Sequence, residues 1–278
     1  MMSNLFRLTA FPKTPYGGNK AGVYLNADNL SDEEMQKIAS HVGFSETAFV
    51  MKSDKSDFKV RFFTPKNEVP LCGHATIATY NLLRDLKEIK TGYYTQETKA
   101  GILKLDVMKH AIYMEQPKPI FSETIPEKEF YSVFARYEPA DNLKPQIVST
   151  GLREIFLPVK NREVLDSLKP LQTKILALSQ KYDVIGVHAF CLDDEVDVYG
   201  RNFAPAVGIN EESATGTSNG ALGCYLYEHV TKKSIYVLRQ GYSMEKPSEI
   251  ITRLQIKDDV ITSVWVGGSA NILEMDRY

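Results

Sequence analysis

Four short segments of this chain carry residue types that can hold or move a proton. Glu46 stands in Gly-Phe-Ser-Glu-Thr-Ala-Phe-Val, where a helix gives way to a strand. A carboxylate held against apolar neighbours has a raised pKa, which suits a general acid or base. The plainer reading is a solvated loop glutamate. Cys72-Gly73-His74 opens an apolar helix. The amides of Gly73, His74 and Ala75 are then unpaired at the helix start and suit a carboxylate or an enolate oxygen. His74 can carry a proton. Cys72 can act as a thiolate base, because helix N-termini lower thiol pKa values. Against this stands a core cysteine with a capping histidine. The third segment is Glu211-Glu212-Ser213-Ala214-Thr215-Gly216-Thr217-Ser218. The hydroxyls of Thr215, Thr217 and Ser218, with the local amides, can bind one end of a small acid, and Glu212 offers a second carboxylate. Simple N-capping uses the same groups. Gly17-Gly18-Asn19 brings backbone toward a ligand, or makes an ordinary turn.

The second and third segments look like two copies of one device. Arg61, Phe63, Pro65 and Gly73 match Arg201, Phe203, Pro205 and Gly216, in the order Arg-x-Phe-x-Pro, polar loop, glycine, apolar helix. Thr217 falls where His74 stands, and Thr215 where Cys72 stands. Two such halves facing each other would aim two helix starts at one cleft. That arrangement suits a small carboxylate and a reaction developing negative charge. The copies are chemically unequal, with no matched cysteine pair. The expected machinery is therefore a one-sided proton shuttle centred on Glu46.

Bulk composition narrows the function classes. The chain has 278 residues, 43% hydrophobic and 24% charged, with 33 basic and 35 acidic residues for a net charge of −2. No basic stripe is present for nucleic acid. No stretch reaches transmembrane length, and no signal peptide is read at the start, so a cytoplasmic protein without membrane partners is expected. Cys72, Cys191 and Cys224 make neither a disulfide framework nor a metal pattern and read as buried, reduced thiols. His41, His110, His188 and His229 stand alone and read as structural or surface residues. The sequence motifs for metal, phosphate and dinucleotide sites are absent, so no cofactor and no metal are expected.

These residues need elements to position them. Alternation and helical spacing predict strands at Leu5–Ala10, 21–25, 48–51, 58–62, 103–107 and from Ile112. They predict a helix from Ser31 with a Ser31/Glu34 capping box and a stop at Gly43, and a buried helix from Gly73 to about Leu86. Three prolines in residues 116–126 suggest a linker. Beyond it the same logic predicts helices at 127–136, 171–182 and 216–229, and strands at 154–159, 184–190, 196–203, 235–239, 250–256 and 260–266. The fold class is α+β, with two mixed sheets each wrapped on a central helix.

Taken in order, Phe6–Phe11, Gly17–Asn19, Ser45–Val50, Arg61–Pro65, Glu68–Thr76 and Gly208–Gly216 resemble the PhzF-like phenazine biosynthesis family over nearly the whole chain. The resemblance implies a diaminopimelate epimerase-like fold of two pseudo-symmetric halves, each a curled sheet around a central helix, with the active-site cleft between them. The halves would be 1–118, completed by a C-terminal strand near 268–278, and 126–267. It also implies a homodimer that needs no cofactor or metal and isomerises a small cyclic or amino-acid-like carboxylate by moving a proton. Glu46 matches the family's catalytic glutamate and His74 its histidine. Gly18, Asn19, Cys72, Gly73, Ala75, Glu212, Thr215, Gly216, Thr217 and Ser218 are then expected around the substrate. The chain departs from the family pattern at Glu212 (aspartate), Ser213 (proline), Thr217 (serine) and Lys20 (proline). Two other readings stay open: a racemase using Cys72, and a non-enzymatic protein binding small acids on the same scaffold.

Overall fold

The computed structural model describes residues 4–275. Its contacts divide the chain into two compact units, residues 1–115 with 267–278 and residues 116–266. The first unit runs β1 (Leu5–Ala10), β2 (Asn19–Tyr24), α1 (Asp32–Val42), β3 (Glu46–Met51), β4 (Phe58–Phe63), β5 (Glu68–Val69), α2 (Gly73–Asp85), β6 (Gly92–Thr98), β7 (Gly101–Val107) and β8 (Ile112–Gln116). The second runs β9 (Ile120–Thr124), β10 (Phe134–Ala135), β11 (Gln146–Ser149), β12 (Arg153–Pro158), α3 (Arg162–Ser167), β13 (Lys169–Pro170), α4 (Gln172–Tyr182), β14 (Val187–Leu192), β15 (Val198–Ala204), β16 (Ile209–Glu212), α5 (Gly216–His229), β17 (Ile235–Gln240), β18 (Ser248–Lys257) and β19 (Val260–Gly268). The last strand among the described residues is β20 (Ala270–Met275), which pairs antiparallel with β1.

The two units repeat one topology. In the first, the strands follow in space as β20, β1, β2, β3, β4, β6, β7, β8. The β2–β3 and β4–β6 pairs are parallel and the rest antiparallel. In the second, the order is β9, β11, β12, β14, β15, β17, β18, with parallel pairs at β12–β14 and β15–β17. The mixed α+β class and the halved architecture are as the sequence implied.

Local signals hold where they are strongest. Ser31 and Glu34 form the reciprocal capping box of α1, and Gly43 closes the helix at φ 69°. Such a cap is worth about 1 kcal/mol. Helix α2 is buried on every side from His74 to Leu83, and α5 from Ser218 to Tyr227. An all-round apolar helix has no solvent face and must be enclosed. The few polar side chains of α2 bond back onto its own backbone: Thr76 to Cys72 O, Thr79 to Ala75 O, Asn81 to Ile77 O, at 2.8–2.9 Å.

Two expectations are corrected. Residues 116–126 are not a bare linker, because β9 pairs with β11 there and the prolines only flank it. Residues 127–136 do not form an α-helix. Only a 3-10 turn at Glu127–Glu129 forms before Phe134 and Ala135 pair with Pro170 and Lys169. The helix-like spacing of Phe130, Val133 and Phe134 is satisfied by burial in the second core instead.

Candidate active site

The Arg-x-Phe repeat is a clamp. Arg61 on β4 grips Glu68 on β5 with two bonds of 2.8 and 2.9 Å, and its guanidinium lies 5.1 Å from the Phe63 ring. Arg201 on β15 grips Glu211 on β16 with two bonds of 2.9 Å, and lies 5.0 Å from Phe203. A bidentate pair fixes direction as well as distance. Each clamp sits four residues before a helix cap, Cys72 or Thr215, and so fixes how the loop enters the buried helix. Glu211 is committed to this task.

Neither helix start is capped by its own side chain. The first backbone bond of α2 runs from Thr76 N to Cys72 O at 3.1 Å, and Cys72 makes no side-chain cap. That leaves the amides of Gly73, His74 and Ala75 without an intrahelical acceptor. In α5 the first bond is Asn219 N to Thr215 O at 3.1 Å, and the Thr215 hydroxyl turns away to donate to Glu212 at 2.7 Å. The choice between capping and anion binding, open in the sequence, is resolved against side-chain capping at both ends. Gln240 holds the second loop in place. Its amide nitrogen donates to Glu212 O at 2.7 Å, and its amide oxygen accepts from Asn219 at 2.7 Å and from Thr215 N at 3.3 Å.

In the first unit, the predicted residues converge on His74. Its Nε2 is 3.3 Å from Glu46 Oε2 and 3.3 Å from Ser45 Oγ. Its Nδ1 is 3.3 Å from Asn19 Nδ2 and 3.4 Å from Cys72 Sγ. Asn19 Nδ2, a donor, faces Nδ1, while Glu46 Oε2 lies beside Nε2 as a close polar neighbour without a hydrogen bond. His74 is 6% exposed and Glu46 17%, so the pair is shielded yet reachable. Glu46 is the first residue of β3, directly beside Ala21 of β2. Gly18 shapes the loop ahead of Asn19: it has φ +86°, and a Cβ there would lie 2.4 Å from Ala10 O. Lys20, where the family pattern has proline, places its ammonium 5.6 Å from the Phe44 ring. Gly73 has ordinary room for a Cβ, with Met114 Cε at 3.5 Å, so space alone does not demand glycine there.

Glu46, Cys72 and His74 bring ligand-type atoms within 4.8 Å of one another. They do not converge on one point. Cys72 Sγ is 3.4 Å from one ring nitrogen and 3.8 Å from the other. It therefore flanks the imidazole instead of lying ahead of either lone pair, where a tetrahedral ion would sit.

The α5 start is arranged differently. Glu212, Thr215, Gly216 and Thr217 lie together there, but the Ser218 hydroxyl does not join them. It turns inward to His188 Nδ1 at 2.7 Å and to the Glu154 carboxylate in a short contact. Asn202 Nδ2 donates to Glu154 at 2.6 Å and lies 3.1 Å from Ser218 Oγ. Ser218 can thus offer a ligand only its amide. His188 is not a solitary residue but part of a buried network missed from the sequence. The available signal was a titratable residue inside each of two apolar strands, Glu154-Ile-Phe-Leu and Val-His188-Ala-Phe. Burial pushes the Glu154 carboxyl up to about 7 and holds His188 down to about 3.

A family model described as phenazine biosynthesis-like protein matches residues 8–276. The chain belongs to that family. It is 37% identical to an uncharacterized isomerase of Clostridium acetobutylicum, over 97% of this chain and 96% of that one. It is 30% identical to the trans-2,3-dihydro-3-hydroxyanthranilate isomerase of Pseudomonas chlororaphis, over 94% of each. The crystal structure of a PhzF family protein from Bacillus anthracis superposes with a TM-score of 0.87 at 31% identity, covering 99% of this chain and 98% of that one. A probable proline racemase from Agrobacterium radiobacter shares the fold at a TM-score of 0.65 and 11% identity. The protein is thus an isomerase of the phenazine biosynthesis-like family. No helix among the described residues is long and apolar enough to cross a membrane.

Proposed function

We propose that this isomerase moves a proton on a small cyclic or amino-acid-like carboxylate, with Glu46 as the general acid/base. The carrying observation is the Glu46–His74 contact of 3.3 Å beside the uncapped start of α2. Glu46 takes a proton from carbon and returns it at another position. The amides of Gly73, His74 and Ala75 stabilise the oxyanion that forms as the carbon loses its proton; aligned donors of this kind stabilise charge in the transition state without reorganising. His74, packed 3.3 Å from Glu46, keeps the carboxylate directed. The amides of Gly216, Thr217 and Ser218 offer a second holding place for a carboxylate, and Glu212 bounds it. Relative to the family aspartate, Glu212 is longer by one C–C bond, about 1.5 Å. The accepted acid is therefore expected to differ in size or shape from that of the Pseudomonas chlororaphis relative.

The reaction needs no cofactor or metal in this reading, and activity retained after dialysis against a chelator tests that. Exchange of a substrate C–H proton with deuterated water, followed by NMR across a panel beginning with trans-2,3-dihydro-3-hydroxyanthranilate, tests the chemistry. Exchange that survives Glu46→Gln at full rate would sink the assignment.

A further inference from the structure

Glu154 is a carboxylate with 1% exposure at the second residue of β12, and among the described residues no lysine or arginine pairs with it. Burying a charge without a countercharge is costly, so such a group needs a reason to be there. The fold itself supplies none. Matching Phe63 to Phe203 and following the strand registers puts Glu154, His188 and Asn202 where the first unit has Ala21, Ala48 and Phe62. Matching the helix starts puts Ser218 where the first unit has Ala75. All four of those counterparts are apolar and fully buried. The same layer is thus built without polar groups in the other unit. The second unit even makes room for its network: a Cβ at Gly200 would lie 2.4 Å from His188 Nε2.

The network accommodates two proton arrangements with no heavy atom moving. With Glu154 ionised, Ser218 donates to Glu154 and His188 Nδ1–H donates to Ser218. With Glu154 protonated, its O–H donates to Ser218 and Ser218 donates to His188 Nδ1, the ring proton then residing on Nε2, which has no hydrogen-bond partner. Ser218 is the third residue of α5, so this switch lies directly under the three unpaired amides of the helix start. We propose that Glu154 is a charge-balancing positioning residue: it takes up a proton when a carboxylate occupies the amides of Gly216, Thr217 and Ser218, and its ionised form weakens the hold on that carboxylate. This rests on the anion-holding role proposed above for the α5 start. The groups facing Glu154 agree with the assignment. Asn202 from β15 and Ser218 from α5 contact it, His188 from β14 adjoins both of them, and Glu212 of β16 adds like charge. The neighbouring cations are engaged elsewhere, Arg201 with Glu211 and Arg153 with Asp183 O.

The test is calorimetric binding of 3-hydroxyanthranilate, an aromatic analogue of the relative's substrate, in buffers of different ionisation enthalpy. Wild-type protein should take up close to one proton per ligand at pH 8 and almost none at pH 5.5. Its affinity should fall by up to about tenfold per pH unit above 7. Glu154→Gln should bind with no such uptake and a flat pH profile, which a merely structural role would not produce. Binding without uptake in the wild type, or uptake unchanged in Glu154→Gln, overturns the inference alone. No binding at any pH removes it together with the anion-holding role. Should Glu154→Gln not fold, infrared difference spectra of Glu46→Gln protein at pH 8 decide. Ligand addition should raise a protonated-carboxyl band, and its absence overturns the proposal.

Discussion

Each unit gathers a glutamate, a histidine, a serine and an asparagine near the start of its buried helix, yet the two sets are built for opposite ends. Glu46, His74, Ser45 and Asn19 stand at a strand end and a helix cap, with Glu46 partly open to solvent. Glu154, His188, Ser218 and Asn202 lie within the core, and the first two are at most 1% exposed. The difference follows from one backbone approach. In the second unit, Gly186 takes the register position of Glu46, and a Cβ there would lie 1.9 Å from Phe203 O. No side chain fits where the first unit carries Glu46. The carboxylate of the second unit comes instead from the adjacent strand, at the position of Ala21, and points into the core. A repeated topology thus yields one partly exposed carboxylate and one sealed one.

The comparison breaks or sharpens under substitution. The largest expected effect is on Glu46: Glu46→Gln should lower kcat by about a thousandfold, within the usual range for a general acid/base, with unfolding by urea unchanged. A comparable kcat loss in Glu154→Gln would erase the distinction between the two carboxylates. Next come the clamps. Arg201→Ala should cost about 3 kcal/mol of stability, because it strands a largely buried Glu211 and also removes donors to Leu165 O and Leu168 O. Arg61→Ala should cost less, about 1–2 kcal/mol, because Glu68 keeps Lys99 as a partner and Asp32 is exposed. Chemical denaturation of both variants checks the order.

The pH dependence of stability separates the two sets further. Glu154 has a folded pKa of about 7, against the ordinary 4.5. The folded state therefore holds more protons than the unfolded state between those values, and its stability falls as pH rises through that window, by about 3 kcal/mol at most. His188, held at about 3 against 6.5, acts in the other direction: stability is lost as pH falls from 6.5 toward 3. Subtracting the Glu154→Gln profile from that of the wild type should isolate the first slope, and a flat difference would contradict it. The smallest effect is expected at Cys72. Its thiol flanks the imidazole and faces Thr215 in the repeat alignment, so Cys72→Ser should cost less than about tenfold in kcat. A loss matching that of Glu46→Gln would favour the thiol-based racemase.

Much of this was legible in the chain. The periodicity of residues 216–229 and the Ser31/Glu34 box depend on neighbours within a few residues, so they were read directly. Asn19, Glu46, Cys72 and His74 were found because glycine, helix start and carboxylate form local patterns. Phe130, Val133 and Phe134 misled because helical spacing cannot report that Ala135 will pair with Lys169. Glu154 and His188 were missed because their partners lie 14 to 64 residues away, and a single titratable residue in an apolar strand carries no sign of its contacts.

The sequence by itself determined the family, the mixed architecture in halves, the two helix starts and the asymmetry between Cys72-Gly73-His74 and Thr215-Gly216-Thr217. These rest on residue type and short spacing. The tertiary structure decided which groups meet. It turned Ser218 inward and Thr215 toward Glu212, committed Glu211 to Arg201, and set His74 beside Glu46. Strand register brings distant residues to one depth, and burial then fixes which polar atoms find partners.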